Sequence, residues 1–144
     1  MNKLKVSIGN DHAGTLLKNF IIDEFKDEID FVNHGTDNVD SVDYPDFVHP
    51  VAIDVESGTS TFGILICGSA NGVCMTANKH QGIRAGLAWN SEVAALIKQH
   101  NNANIICIPA RFLSDTDAIE LLRTFINEEF EGGRHQRRID KIPC

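Results

Sequence analysis

The chain has 144 residues, 42% of them hydrophobic and 23% charged, which is the size and composition of one folded domain over 1-144 rather than of a disordered or disulfide-scaffold sequence. A formal charge of -7 argues against broad binding to nucleic acid, which needs a basic face, although Arg134, His135, Arg137, Arg138 and Lys141 crowd the last eleven residues and leave room for a local anion site. No apolar run approaches the ~20 residues that span a bilayer, no secretory leader follows Lys3 and Lys5, and Cys144 is terminal rather than fourth from the end, so no membrane association is expected and the four thiols are expected to be reduced and cytoplasmic.

Leu4, Val6 and Ile8 alternate with polar residues as a strand, and after Gly9 the residues Leu16, Leu17, Phe20, Ile21 and Phe25 recur at helical spacing. A short strand is expected near Asp30–Asn33, then a polar loop from His34 to Asp43. Pro45 suits the first turn of a helix whose apolar stripe is Val48, Val51, Ala52 and Val55, ended by Ser57, Gly58 and Thr59. Phe62–Cys67 (FGILIC) is almost continuously apolar, as a central strand covered on both faces would be.

Gly68–Gly72 read as a small-residue turn into a helix over Val73–Lys79, followed by a strand over Ile83–Trp89 and a helix over Ser91–Gln99. Ile105–Ile108 (IICI) reads as another buried strand, closed by Pro109. Ser114 and Asp117 form a capping box before a helix carrying Ile119, Leu122, Phe125 and Ile126. Strand and helix thus alternate about five times, which predicts a parallel sheet between two helix layers. Ligands of such folds bind beyond the carboxyl ends of the strands, and that rule selects Gly9–Gly14, the segment before Pro45, Cys67–Gly72, His100–Asn101 and Ala110–Arg111.

Gly9–Thr15 has P-loop glycine spacing, but Thr15 stands where the phosphate-reaching lysine is required, and no dinucleotide fingerprint is present. Asp11 is either a helix cap or a site residue. Cys67, at the end of the central strand and just before a helix, sits where a thiolate is favoured, with inert packing as the competing reading. Cys74 and Cys107 read as core.

The turn Gly68–Gly72 offers backbone amides, and Ser69 a hydroxyl, to a developing oxyanion; a plain structural turn is the alternative. With no C-x-x-C and no H-E-x-x-H, and with the six histidines scattered along the chain, no metal is expected. His100 is either a helix C-cap or catalytic. Arg134 and Arg138 share a face if the tail is helical, and with Arg111 they would suit one phosphate, unless the tail is merely solvated.

Taken together, Asp11-His12-Ala13-Gly14, Asp43-Tyr44-Pro45-Asp46, Gly63–Gly68, Ala77-Asn78-Lys79, Gly82–Ala85, His100-Asn101, Ala110-Arg111 and Phe130–Arg138 make the sequence resemble the ribose-5-phosphate isomerase B family, which also contains galactose-6-phosphate isomerase subunits. The resemblance implies a Rossmann-like fold and a cofactor-free aldose–ketose isomerase of the non-oxidative pentose phosphate pathway. It also implies a homodimer with active sites at the interface, with a dimer of dimers as a further assembly. Cys67 matches the general base; Ser69, Gly68, Asn71 and Gly72 match the oxyanion turn; His100 and Asp11 match the ring-opening pair. Tyr44 and Asn101 match residues lining the sugar, and His12, Arg111, Arg134 and Arg138 match the phosphate ligands. The chain departs from the family where Ser69 replaces a common threonine, where Ala70-Asn71-Gly72 replaces a more glycine-rich turn, and where Pro109 replaces a frequent glycine. A six-carbon phosphosugar isomerase and a non-catalytic sugar-phosphate sensor are the rival readings.

Overall fold

The computed structural model describes residues 2–144. Five parallel strands, β1 (Leu4–Asn10), β2 (Ile29–Asn33), β3 (Phe62–Cys67), β4 (Ala85–Leu87) and β5 (Ile105–Pro109), form one sheet in the order β2-β1-β3-β5-β4. The helices are α1 (Thr15–Phe25), α2 (Pro45–Glu56), α3 (Asn71–Ala77), α4 (Ser91–Gln99), α5 (Asp115–Asn127) and α6 (Arg134–Ile139). Both sheet faces are covered, as the run FGILIC requires: every residue of β3 is buried. Val6, Ile8, Ile64, Ile66, Ile106 and Ile108 pack under α1, α4 and α5, whereas Leu65, Cys67, Ile105 and Cys107 pack under α2 and α3. This is the three-layer αβα sandwich expected.

The first crossover carries the chain outward from β1 to β2, and the next returns it to β3 on the other side of β1. The order therefore reverses between β1 and β3, and the crevice beyond their carboxyl ends is the switch point of the sheet. Asp11 follows β1 there and Gly68 follows β3.

Local chemistry accounts for most boundaries. Ser114 and Asp117 form the expected capping box at the start of α5. Helix α3 begins two residues earlier than its apolar pattern indicates, and β4 is only Ala85–Leu87 because it is an edge strand paired with β5 alone. In α1 the buried stripe is Leu17, Lys18, Ile21 and Phe25, while Leu16 is 76% exposed. Lys18 lies on the inner face because its ammonium donates to the carbonyl of Thr36 and pairs with Asp37, tying α1 to the loop after β2. The hydrogen bond from Lys18 holds the Asp37 carboxyl below its usual range.

Candidate active site

The exits of β1, β3 and β5 and the start of α2 enclose a cavity of about 430 Å³. Asp11, His12, Tyr44, Cys67, Gly68, Ser69, Gly72 and Arg111 line it, with Phe112 at its edge. Cys67 is 5% exposed and ends β3, facing the α2–α3 side of the sheet. Asp11 does cap the turn that follows, since its carboxylate accepts from the amide of Ala13 at 2.9 Å, yet the same side chain borders the cavity. The two sequence readings of Asp11 are therefore compatible. The His12 Nδ1 accepts from the amide of Val42 at 3.2 Å, which fixes its ring.

The turn after Cys67 is held from two sides. Ala110 and Arg111 donate backbone hydrogen bonds to the carbonyls of Cys67 and Gly68 at 2.9 and 3.1 Å, so the exit of β5 is latched onto the exit of β3. Pro109 pairs in register with Cys67 and, lacking an N–H, removes no bond from this latch. Arg111 lies so close over Gly68 that a Cβ there would meet its Cδ, Nε and Cζ at 3.1–3.2 Å. Tyr44 is seated the same way over Gly72, where a Cβ would come within 2.5 Å of its ring. Both glycines thus make room for side chains of the site.

Ala70 adopts the left-handed conformation, φ 64°, at the N-cap of α3. This is costly for a residue with a Cβ, about 1 kcal/mol or more, and strain of this kind concentrates at functional turns. Ser69 Oγ accepts from the backbone and side-chain amides of Asn71 at 3.3 and 3.2 Å, and the first i→i−4 backbone bond of the helix runs from the Cys74 amide to the carbonyl of Ala70. The amides of Gly72 and Val73 precede that of Cys74 and have no intrahelical partner.

Cys107 is fully buried in β5, and burial pushes its thiol well up; Cys74 donates to the carbonyl of Ala85 at 3.3 Å. Cys107 is a core thiol, as expected, and Cys74 is half-buried against the same core.

His100, Asn101, Arg134 and Arg138 do not border this cavity. The choice of His100–Asn101 as a loop at the carboxyl ends of the strands is corrected by the topology. Helix α4 begins beyond the carboxyl end of β4 and runs back, so His100 lies at the amino ends: Arg84, preceding β4, bonds the carbonyl of Asn101, and Asn104, preceding β5, bonds Gly63 at the start of β3. From Ile105 to Pro109 the strand rises about 13 Å, so the amino-end loops holding His100 stand well away from Cys67 at the carboxyl end.

At that amino end the tail is helical, forming α6, the case in which Arg134 and Arg138 share a face. His135 and Ile139 anchor it, and Arg134 and Arg138 are exposed. The amide of Glu131 donates to the carbonyl of Gln99 at 3.0 Å, and the His135 ring stacks on His100 with centroids 4.4 Å apart. Among the described residues no carboxylate pairs with Arg111, Arg134 or Arg138. Histidines far apart in the sequence also meet elsewhere: His49 Nδ1 and His80 Nε2 are 2.7 Å apart. Sequence spacing gave no sign of either pairing, because α6 and α4 meet only through the fold.

A buried thiol beside a strained amide turn, with a guanidinium and an imidazole across the cavity, is equipped to move a proton on an anchored anionic molecule. Comparison with known proteins agrees. The family described as Ribose/Galactose Isomerase matches residues 6–142. A probable ribose-5-phosphate isomerase B of Mycoplasma genitalium is 44% identical over 140 residues, covering 95% of this chain and 92% of that protein. The crystal structure of a ribose 5-phosphate isomerase from Thermotoga maritima superimposes with a TM-score of 0.96 at 39% identity, covering 99% of each chain. The Mycoplasma genitalium isomerase with bound ribulose-5-phosphate superimposes with a TM-score of 0.93 at 43% identity, covering 99% of this chain and 95% of that one. With nearly its whole length accounted for in sequence and in fold, the chain belongs to the ribose/galactose isomerase family.

Proposed function

We propose that this protein interconverts D-ribose 5-phosphate and D-ribulose 5-phosphate, with Cys67 as the base. The observation that carries the reading is Cys67 at the switch point of the sheet, opening into the same cavity as Arg111 and His12. The Cys67 thiolate removes the proton from C2 of the open-chain aldose, and the electron pair forms the C1–C2 double bond of a cis-enediolate while the C1 carbonyl pair moves onto O1. The O2 proton passes to O1 as the C2 carbonyl forms, and the same sulfur returns its proton to C1. The redox change is internal to the sugar, so the proton transfer itself consumes no cofactor. The amides of the Ser69–Gly72 turn and the Ser69 hydroxyl hold the enediolate oxygen while Arg111 and His12 hold the phosphate. Tyr44 and Asp11 flank the sugar.

One chain lacks part of this machinery. The rest is supplied by a second copy in an isologous dimer, whose amino-end face meets the carboxyl-end face of the first. His100 of the partner subunit opens the sugar ring together with Asp11, Asn101 of the partner subunit lines the sugar, and Arg134 and Arg138 of the partner subunit complete the phosphate site. Three features support this arrangement: three guanidiniums without carboxylate partners, a half-site at each end of the sheet, and the exposed Tyr44 and Phe112 at the cavity edge. The enzyme works in the cytoplasm, where its thiols stay reduced.

The test measures kcat/KM for five- and six-carbon aldose phosphates with the intact chain and with Cys67→Ala. Ribose 5-phosphate is expected to be preferred. The substitution is expected to lower kcat by about 10³-fold, in the range typical of general-base loss, while phosphosugar binding persists. Preference for a six-carbon sugar would move the substrate to the rival class, and near-normal turnover without the thiol would refute its role. Tight binding with no proton exchange at C2 would make the protein a sensor.

A further inference from the structure

We propose that His100, Glu131 and His135 form a site for a divalent transition metal of the zinc class, and that its loading withdraws His100 from catalysis. One ligand atom from each residue lies within 4.8 Å of the other two. Glu131 Oε1 is 3.4 Å from His135 Nε2 and 3.7 Å from His100 Nε2. Metal–ligand bonds of about 2.0–2.1 Å set ligand atoms about 3.4 Å apart at the corners of a tetrahedron, so the two carboxylate–imidazole separations already fit, while the stacked His100 and His135 rings must tilt for both lone pairs to meet one ion.

His135 supplies the second, independent observation. It is 6% exposed, and its Nε2 is buried without a hydrogen-bond partner, although Glu131 lies beside it. A buried ring nitrogen left unpaired is uncommon and calls for an unseen partner. The Glu131 carboxylate can only accept, so it does not satisfy a ring nitrogen that carries a lone pair. A neutral imidazole presents a lone pair, which is what a metal takes and a carboxylate does not.

Two imidazole nitrogens with one carboxylate oxygen favour zinc-class ions over magnesium or calcium, which prefer all-oxygen shells. Three protein ligands leave a fourth position for water. Glu131 contributes one negative charge, and the exposed Arg134 and Arg138 nearby oppose the cation, so the affinity is that of a reversible site rather than a permanent structural one. The His100 and Glu131 side chains are 40% and 50% exposed, which gives the ion an entry path.

The metal-binding claim stands on these residues alone. Its effect on catalysis rests on the proposed role of His100 in ring opening, because one lone pair cannot serve a metal and a sugar proton together. In the dimer proposed above, zinc is then an inhibitor at the mouth of the partner's site.

The metal-stripped chain is titrated with cobalt(II) chloride and followed by visible absorption. One saturable four-coordinate spectrum per chain is expected, unchanged in Cys67→Ser and weakened at least about tenfold in Glu131→Gln, since even partners beyond the ligands cost that much. Glu131 is half-exposed, so this variant is expected to fold, and a melting curve checks it; His135→Asn should act in the same direction. Absence of a saturable spectrum, or one that survives Glu131→Gln but disappears in Cys67→Ser, overturns the site. Zinc chloride should then inhibit ribose 5-phosphate turnover in the wild type and less in Glu131→Gln. Binding without inhibition overturns the catalytic consequence. A metal-free chain that never turns over the sugar would instead defeat the functional reading and leave the cobalt result to decide the site.

Discussion

At the carboxyl end of the sheet, candidate groups sit on strand exits that are hydrogen-bonded to one another; at the amino end, they sit on the residues just past α4 and on a six-residue helix. The first kind of position is fixed by ladder register. The Cys67–Pro109 pairing and the two backbone bonds from Ala110 and Arg111 determine where the thiol and guanidinium stand before any ligand arrives. The second kind depends on a crossover and on one buried histidine. The difference teaches that one set of candidate site residues is fixed by strand register while the other rests on helix ends at the opposite edge of the sheet, and the proposed function requires the second set to be brought to the first by another copy of the chain.

Among the groups proposed to hold the phosphate, the largest effects should come from breaking the proposed clamp between Arg111 and the tail arginines. Arg111→Ala and Arg138→Ala should each raise KM about 10- to 100-fold, the loss of a charge-assisted bond, with a smaller change in kcat. Steady-state kinetics check this, and an unchanged KM in Arg138→Ala would detach the tail from the site. Lysine at either position should restore activity only partly, because it lacks the forked geometry.

Next in size is the scaffold of the carboxyl end. Lys18→Met keeps the buried stem but removes the charged donor to the carbonyl of Thr36, which keeps only Asn10, together with the pairing to Asp37, and should cost about 1–3 kcal/mol in urea unfolding. A smaller effect is expected from Ala70→Gly. Removing the Cβ relieves the left-handed strain but loosens the unfolded chain, so stability should change by no more than about 1 kcal/mol.

The amino end should show its own, gentler dependence on acid. The folded chain resists a proton on His135 that the unfolded chain accepts. That stability is present above the ordinary histidine value near 6.5 and is lost as the pH falls from there through the lowered pKa of the folded state. Thermal melts from pH 7 to 5 should slope downward, and His135→Gln should flatten the slope; an identical slope would assign it elsewhere.

The two ends also differ in how far they could be read beforehand. FGILIC marks β3 because only a strand covered on both faces is apolar throughout, and the catalytic candidates at strand exits follow from that. Lys18 escapes the helical pattern since its partner, Asp37, lies on a loop after a different strand. His100 was legible as a helix end but not as lying at the far edge of the sheet, because a local pattern does not say which way a crossover helix points relative to the strands. The His100–His135 stack was invisible for the same reason: 35 positions separate the two in the chain, and only the return of α6 onto α4 brings them together.

Mixing two inactive variants tests the division most directly. Cys67→Ala and His100→Asn are each expected to be nearly inactive alone; unfolded and refolded together, they should regain about a quarter of wild-type activity, because half the dimers are mixed and each mixed dimer holds one intact site. No recovery, with both variants folded and mixed dimers shown to form, would contradict a site built from opposite ends of two chains.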